Sequence, residues 1–119
     1  IILSNLISNS IKYHDSKKSD SWIVVRGYKE HDKSVIEVED NGIGMAKKHV
    51  DRIFEMFYRA SDQSTGSGLG LYIVMESIKK VSGDIEVFSE ESKGSTFKVL
   101  LPLVDNLEQG KKLDQGNLV

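Results

Sequence analysis

The sequence predicts an α+β fold, a two-layer sandwich with helices on one face of a mixed β-sheet. Two observations carry this. Apolar residues change period along the chain in the order helix, two strands, short helix, glycine loop, helix, two strands. The length of 119 residues leaves room for one domain with one modest core, so these elements must share it.

Residues 2 to about 14 read as a helix, because Leu3, Leu6, Ile7 and Ile11 form an i, i+3, i+4, i+8 stripe. Asn5, Asn9 and Lys12 occupy a neighbouring face. Ser16 to Ser21 is polar and aperiodic, hence a loop. Trp22 to Tyr28 and Ser34 to Asp40 are β-rich runs, and the charged Lys29–Lys33 segment between them suggests a hairpin. The strand period puts Ile36, Val38 and Asp40 on one face. The Asp40 carboxylate is therefore aimed at the apolar layer, where an unpaired charge is costly.

Ala46 to Phe54 can form a short helix, with Phe54 and Phe57 expected on one core-facing side. Leu71, Val74, Ile78 and Val81 mark a helix face that stops at Gly83. Asp84 to Glu91 and Ser95 to Leu101 read as two further strands, linked by Ser92-Lys93-Gly94. In the last strand, alternation groups Thr96 with Lys98 and Leu100, opposite Phe97, Val99 and Leu101. No internal repeat is present. The domain is expected to span residues 1–103, and residues 104–119, polar and without a periodic apolar face, read as a disordered tail or linker.

Net charge is −2, with 16 basic and 18 acidic residues well mixed. Nucleic-acid binding, which needs a clustered basic face, is not expected. Lys17-Lys18 and Lys111-Lys112 read as solvated surface charges. There are no cysteines, which excludes disulfides and thiolate metal sites. No apolar run approaches the roughly 18–20 residues of a membrane helix, and no cleavable signal peptide is evident. A cytoplasmic location is expected, compatible with a membrane anchor elsewhere in a longer protein.

Several residues carry candidate chemistry. Asn9 offers an amide oxygen, a hard neutral ligand suited to Mg²⁺, and Lys12, about one turn later, a point charge for a phosphate. Taken alone, both read more simply as a solvated helix face. Asp40 precedes Asn41-Gly42-Ile43-Gly44, so by itself it reads as the cap of a turn. Gly66-Ser67-Gly68-Leu69-Gly70-Leu71 leads into a helix whose free N–H groups and dipole would suit a phosphate. A flexible loop before a helix is the plainer reading of an isolated glycine cluster. Neither a Walker A lysine motif nor the Rossmann glycine fingerprint is present, and the protein-kinase loop set is missing.

Together and in this order, the clusters resemble the N, G1 and G2 boxes of the histidine-kinase ATP-binding domain, of the GHKL (Bergerat-fold) ATPase superfamily. The N box is residues 1–14, G1 40–44 and G2 66–71. Phe54-Glu55-Met56-Phe57-Tyr58-Arg59 matches the intervening F box (54–59), and Gly94-Ser95-Thr96-Phe97 the closing motif. The resemblance covers roughly Ile1 to Pro102 and implies an ATP site. In it Asn9 coordinates Mg²⁺, Lys12 and Arg59 contact phosphate, Tyr13 packs on adenine, and Asp40 accepts the adenine amine. Gly42 and Gly44 allow close backbone approach, while Ile43 and Met45 floor the pocket. Gly66, Gly68, Leu69, Gly70 and Leu71 form the phosphate loop, Asn5, Phe57 and Thr96 belong to the same set, and residues 59–68 form a mobile ATP lid. A threonine near the nucleotide conflicts with simple alternation at Thr96, so a twist or bulge is expected there.

The resemblance also assigns a branch. Hydrolysing relatives carry a glutamate four residues before the Mg²⁺ asparagine, and here that position is Asn5. An amide cannot act as a general base, so rapid ATP hydrolysis is disfavoured and the phosphoryl acceptor must lie elsewhere. Of the three histidines, His14, His31 and His49, none has the setting of a phosphoacceptor, and all read as surface residues. The resemblance therefore implies the catalytic domain of a two-component sensor histidine kinase, in a full-length homodimer. Its partners would be a histidine-bearing dimerisation domain and a response-regulator receiver. A serine kinase of the anti-sigma-factor type and a nucleotide-binding module without catalysis stay open. The family's strand ahead of the N box is missing, which predicts an uncovered sheet edge or core face.

Overall fold

The computed structural model describes residues 1–58 and 68–103. Strand pairing organises it. β1 (Ile23–Glu30) and β2 (Lys33–Asp40) form a hairpin whose register runs from Ile23 opposite Asp40 to Glu30 opposite Lys33. The turn is only His31-Asp32, with His31 at φ 57°, so Lys29, Glu30 and Lys33 belong to the strands. β3 (Asp84–Glu90) and β4 (Gly94–Pro102) form a second hairpin. β4 inserts beside β2, giving the order β1-β2-β4-β3 with every pairing antiparallel. The expected mixed sheet is thus corrected. β3 has the direction of β2 but lies outside β4, so no parallel pair can form.

Helix α1 (Ile2–Lys12) and helix α3 (Gly70–Lys80) cover one face of the sheet. Leu6, Val38, Val74, Ile78, Phe97 and Val99 are fully buried there, each burial contributing about 1.5–3 kcal/mol. Phe54 closes this core edge-on against Phe97, with ring centroids 6.5 Å apart. α3 ends as a Schellman turn: the N–H of Gly83 donates to the Ile78 carbonyl, and Ser82, at φ 59°, takes the left-handed position. Val81, expected on the buried face, falls at this end and is exposed.

Three further expectations change. α1 does not bury its predicted stripe: Leu3 and Ile11 are 38% and 59% exposed, while Leu6 and Ser10 are buried. The helix is turned so that Ser10 reaches Asp40, for reasons given below. The short helix is only α2 (Lys47–Val50), followed by turns, and these separate the two phenylalanines of the F box. Phe54 joins the core, whereas Phe57 sits at φ 66° and is 62% exposed. At Thr96 the pairing with β2 and β3 is unbroken, so no bulge is present.

The edge strand β1 is only partly covered. Ile23 and Val25 belong to the core side of the sheet, yet are 37% and 47% exposed because the helices stop short of this edge strand. On the opposite side the strands carry a polar ladder instead. Arg26 bridges Glu37 and Glu39 at 3.1 and 2.6 Å, Tyr28 hydrogen-bonds Glu37, and Lys98 meets Glu30 at 3.2 Å. Hydrogen bonding to Glu37 pushes the Tyr28 hydroxyl above its ordinary range, and the Glu30 hydrogen bond does the same for Lys98. Among the described residues no helix is long and apolar enough to cross a membrane. The tail, 104–119, lies outside the described residues.

Candidate nucleotide site

Asp40 ends β2 facing the core, 7% exposed. A carboxylate so placed needs donors, and three are supplied from three parts of the chain. Ser10 donates its hydroxyl to Oδ2 at 2.8 Å. The N–H groups of Gly42 and Ser95 donate to Oδ1 at 2.9 and 3.3 Å. This accounts for the rotation of α1, since turning Ser10 inward satisfies the carboxylate. The Gly42 bond is the turn cap that the sequence allowed. A carboxylate has about four acceptor positions, so Asp40 retains capacity for one more donor.

Asp40 lines a cavity of about 290 Å³, close to the roughly 300 Å³ at the lower end for small-molecule sites. Asn9 from α1, Tyr13 at its C-cap, Asp40 at the end of β2, Ile43, Gly44 and Met45 from the turn, and Leu71 from α3 line it. These are seven of the residues that the sequence singled out. Ala46, His49, Ile53, Tyr58, Glu91, Ser92 and Ser95 complete the wall. Of these, Ser95 could have been found by strand parity: it sits opposite Asp40, whereas Thr96 pairs with Glu39 on the other face and lies outside the cavity. Nothing in the pattern signalled His49, read as a surface histidine, which instead forms part of the wall beside Tyr58.

The remaining predicted residues lie elsewhere. Lys12 is exposed and outside the lining. Asn5 packs at the start of α3 and donates to the Ile1 carbonyl at 2.9 Å. Gly68, Leu69 and Gly70 lead into α3 without lining the cavity, and Phe57 is exposed and outside the lining. The N–H of Phe57 donates to the Gly68 carbonyl at 3.0 Å, tying the two ends of the intervening segment. Arg59 and Gly66, and with them most of the predicted lid, lie outside the described residues.

The turn itself is sewn in place. Ile43 donates its N–H to the Tyr13 carbonyl at 3.0 Å and receives Ser92 N–H on its own carbonyl at 2.7 Å. Asn41 accepts Trp22 N–H at 2.9 Å and donates to the Asp20 carbonyl. Lys18 is not a solvated charge: its Nζ donates to the carbonyls of Asn41 and Ser92 at 2.7 and 2.9 Å. The glycines serve this packing as well as any ligand. A Cβ at Gly42 would collide with the Tyr13 carbonyl, and one at Gly44, which sits at φ 66°, with the Glu90 carbonyl. Gly44→Ala should therefore destabilise the domain by at least about 1–3 kcal/mol, the cost of a strained left-handed residue. Denaturant titration checks this, and an unchanged midpoint would show that the β3–β4 turn yields freely.

The site also suits phosphate and metal. Among the described residues no side chain caps the start of α3 at Gly70, and free N–H groups at a helix start suit an anion. Asn9 places a neutral oxygen ligand in the cavity wall, and Mg²⁺ commonly takes only one or two protein ligands together with phosphate and water. Among the described residues no group of three or more His, Cys, Asp or Glu could hold a metal alone. The donor set thus fits a metal brought with its phosphates.

A buried acceptor in a cavity, beside an uncapped helix start, is the arrangement of a nucleotide-binding domain. Residues 1–105 match the family described as "Histidine kinase-, DNA gyrase B-, and HSP90-like ATPase", and the chain belongs to that family. It is 38% identical over 107 residues to sensor histidine kinase YclK of Bacillus subtilis (strain 168), covering 86% of this chain and 22% of the relative. It is 41% identical over 105 residues to the aerobic respiration control sensor protein ArcB of Escherichia coli (strain K12), covering 84% and 13%. Among solved structures, the mycobacterial sensor histidine kinase MprB superposes with a TM-score of 0.74 at 25% identity, over 85% of this chain and 69% of that one. Full-length ShkA, solved in complex with AMPPNP, gives 0.72 at 27% identity, over 85% and 20%. The chain corresponds to the catalytic ATPase domain of sensor histidine kinases, and spans less than a quarter of the length of these two curated relatives.

Proposed function

We propose that this domain, residues 1–103, holds Mg-ATP and presents its γ-phosphoryl group to a histidine on a separate dimerisation domain of the same protein. The observation that carries the reading is the buried, three-times-bonded Asp40 carboxylate, which lines the cavity and has acceptor capacity left. That capacity matches the exocyclic amine of adenine, and a site built to hydrogen-bond a group rejects analogues without it. Tyr13, Ile43 and Met45 supply the apolar walls for the base. Asn9 would hold Mg²⁺, which when bound neutralises phosphate charge, and the start of α3 would orient the phosphates. Arg59, Lys12 and the Gly66–Gly70 loop are assigned to the phosphates by the family resemblance.

Position 5, where hydrolysing relatives carry a glutamate, holds an amide outside the cavity lining, and an amide cannot act as a general base for water. Catalysis then rests on positioning and charge neutralisation, with the nucleophile contributed by the partner domain. A receiver domain would take the phosphoryl group onward, and the full-length protein would act as a cytoplasmic-facing homodimer without nucleic-acid contact. The test mixes the chain with a histidine-bearing dimerisation domain and γ-labelled ATP. Acid-labile label should appear on the partner only when both are present, with slow ATP turnover by the chain alone. Strong acid-labile incorporation on this chain by itself would overturn the reading, and acid-stable label on a serine would favour the serine-kinase alternative.

A further inference from the structure

His49, which the sequence reads as a surface residue, is partly buried in the cavity wall and hydrogen-bonded through Nδ1 to the Tyr58 hydroxyl. The pair joins two elements. His49 lies on α2, and Tyr58 directly follows Phe57, whose backbone is tied to Gly68, two residues before α3. Tyr58 is itself fixed from outside. The Arg52 guanidinium lies 4.6 Å from its ring centroid, and Arg52 is held by Glu55 at 3.0 Å. The Glu55 hydrogen bond raises the Arg52 pKa, and Arg52 in turn lowers that of Glu55. The ion pair is thus intact at neutral pH and is lost only as acid protonates Glu55.

Which partner donates in the His49–Tyr58 bond follows from chemistry. A phenol is the better donor and a neutral imidazole nitrogen the better acceptor. A cation on the phenol ring's face draws electron density from the hydroxyl and strengthens its donation. Tyr58 donating to Nδ1 leaves the proton of the neutral ring on Nε2. His49 has no other side-chain hydrogen bond among the described residues. His49 lines the cavity, and among the described residues its Nε2–H has no protein acceptor.

We propose that His49, locked by Tyr58 as its Nε2–H tautomer, donates a hydrogen bond to an oxygen of the sugar–phosphate part of the bound nucleotide. This rests on the nucleotide reading of the cavity. The base end is taken by Asp40, which can only accept, while His49 and Tyr58 stand on the side tied to the start of α3. Tyr58 acts through His49 and is a positioning residue. The pair would make the site discriminate for the ribose and phosphates independently of the adenine amine.

Two measurements on the whole chain test it. Long-range ¹⁵N–¹H correlation in mildly alkaline buffer should find His49 as the Nε2–H tautomer, and Tyr58→Phe should release it to a mixture. Calorimetry should find that His49→Ala weakens ADP about five- to tenfold, the loss expected for one hydrogen bond. His49→Gln, which keeps an N–H near the Nε2 position, should recover part of that loss, and Tyr58→Phe should lose less than His49→Ala. Comparing adenosine with ADP separates the acceptors: a loss for both marks a ribose oxygen, and a loss for ADP alone a phosphate oxygen. An Nδ1–H tautomer, or full ADP affinity in a folded His49→Ala protein, would overturn the inference. Undetectable binding of any adenine nucleotide by the wild-type chain would instead overturn the nucleotide reading beneath it.

Discussion

Asp40→Asn should weaken ATP binding by about 1–3 kcal/mol, the range for loss of a buried hydrogen-bond acceptor. The substitution keeps size and shape, so the cavity persists. One carboxylate oxygen becomes an NH₂ donor, however, and every neighbour that the structure gives Asp40 is itself a donor: the Ser10 hydroxyl and the N–H groups of Gly42 and Ser95. If the amide oxygen keeps the two backbone N–H groups, the NH₂ faces Ser10 and the adenine amine together. The Ser10 hydroxyl can rotate to accept, but the amine cannot. Calorimetry with ATP and with an analogue lacking the amine checks this. The wild type should prefer ATP, and the variant should lose that preference. Equal ATP affinity in the two proteins would end the assignment of Asp40 to adenine.

Phe97→Ala should cost about 3–5 kcal/mol of folding stability, as large aromatic deletions from a core do. Phe97 is fully buried in β4, opposite Val38 on β2 and Val87 on β3, with Phe54 edge-on above it. Deleting the ring empties a point where the sheet and the base of the F box meet, so surrounding side chains cannot collapse into it from one side alone. A small domain has a total stability of about 5–15 kcal/mol, which makes this loss a large share of the whole. β1 adds to the sensitivity, because its core-side residues are already half exposed. Denaturant unfolding measures the effect. A loss below about 1 kcal/mol, the cost of a much smaller deletion such as Ile to Val, would mean that the core repacks around the gap.

The grouping of Asn9, Tyr13, Asp40, Ile43, Gly44, Met45 and Leu71 around one cavity was implied by the family resemblance; legible in the chain's own pattern were the order of elements and the inward aim of Asp40. Each is a property of local period or of short spacing, and the backbone repeats of helix and strand convert these directly into faces. What the tertiary structure decided is the identity of partners across long separations. Ser10 is turned inward because a carboxylate thirty residues away needs its hydroxyl, a demand that outweighs burying Leu3 and Ile11. Ser95 rather than Thr96 meets the cavity because β4 pairs with β2 without a bulge. Lys18 bonds two carbonyls, one of them 74 positions later, and so is half-buried rather than fully solvated. His49 and Tyr58 meet because turns, not a continuous helix, follow Val50. Periodicity reports how a segment repeats, whereas a buried polar group is satisfied by whatever donor the completed fold brings within reach.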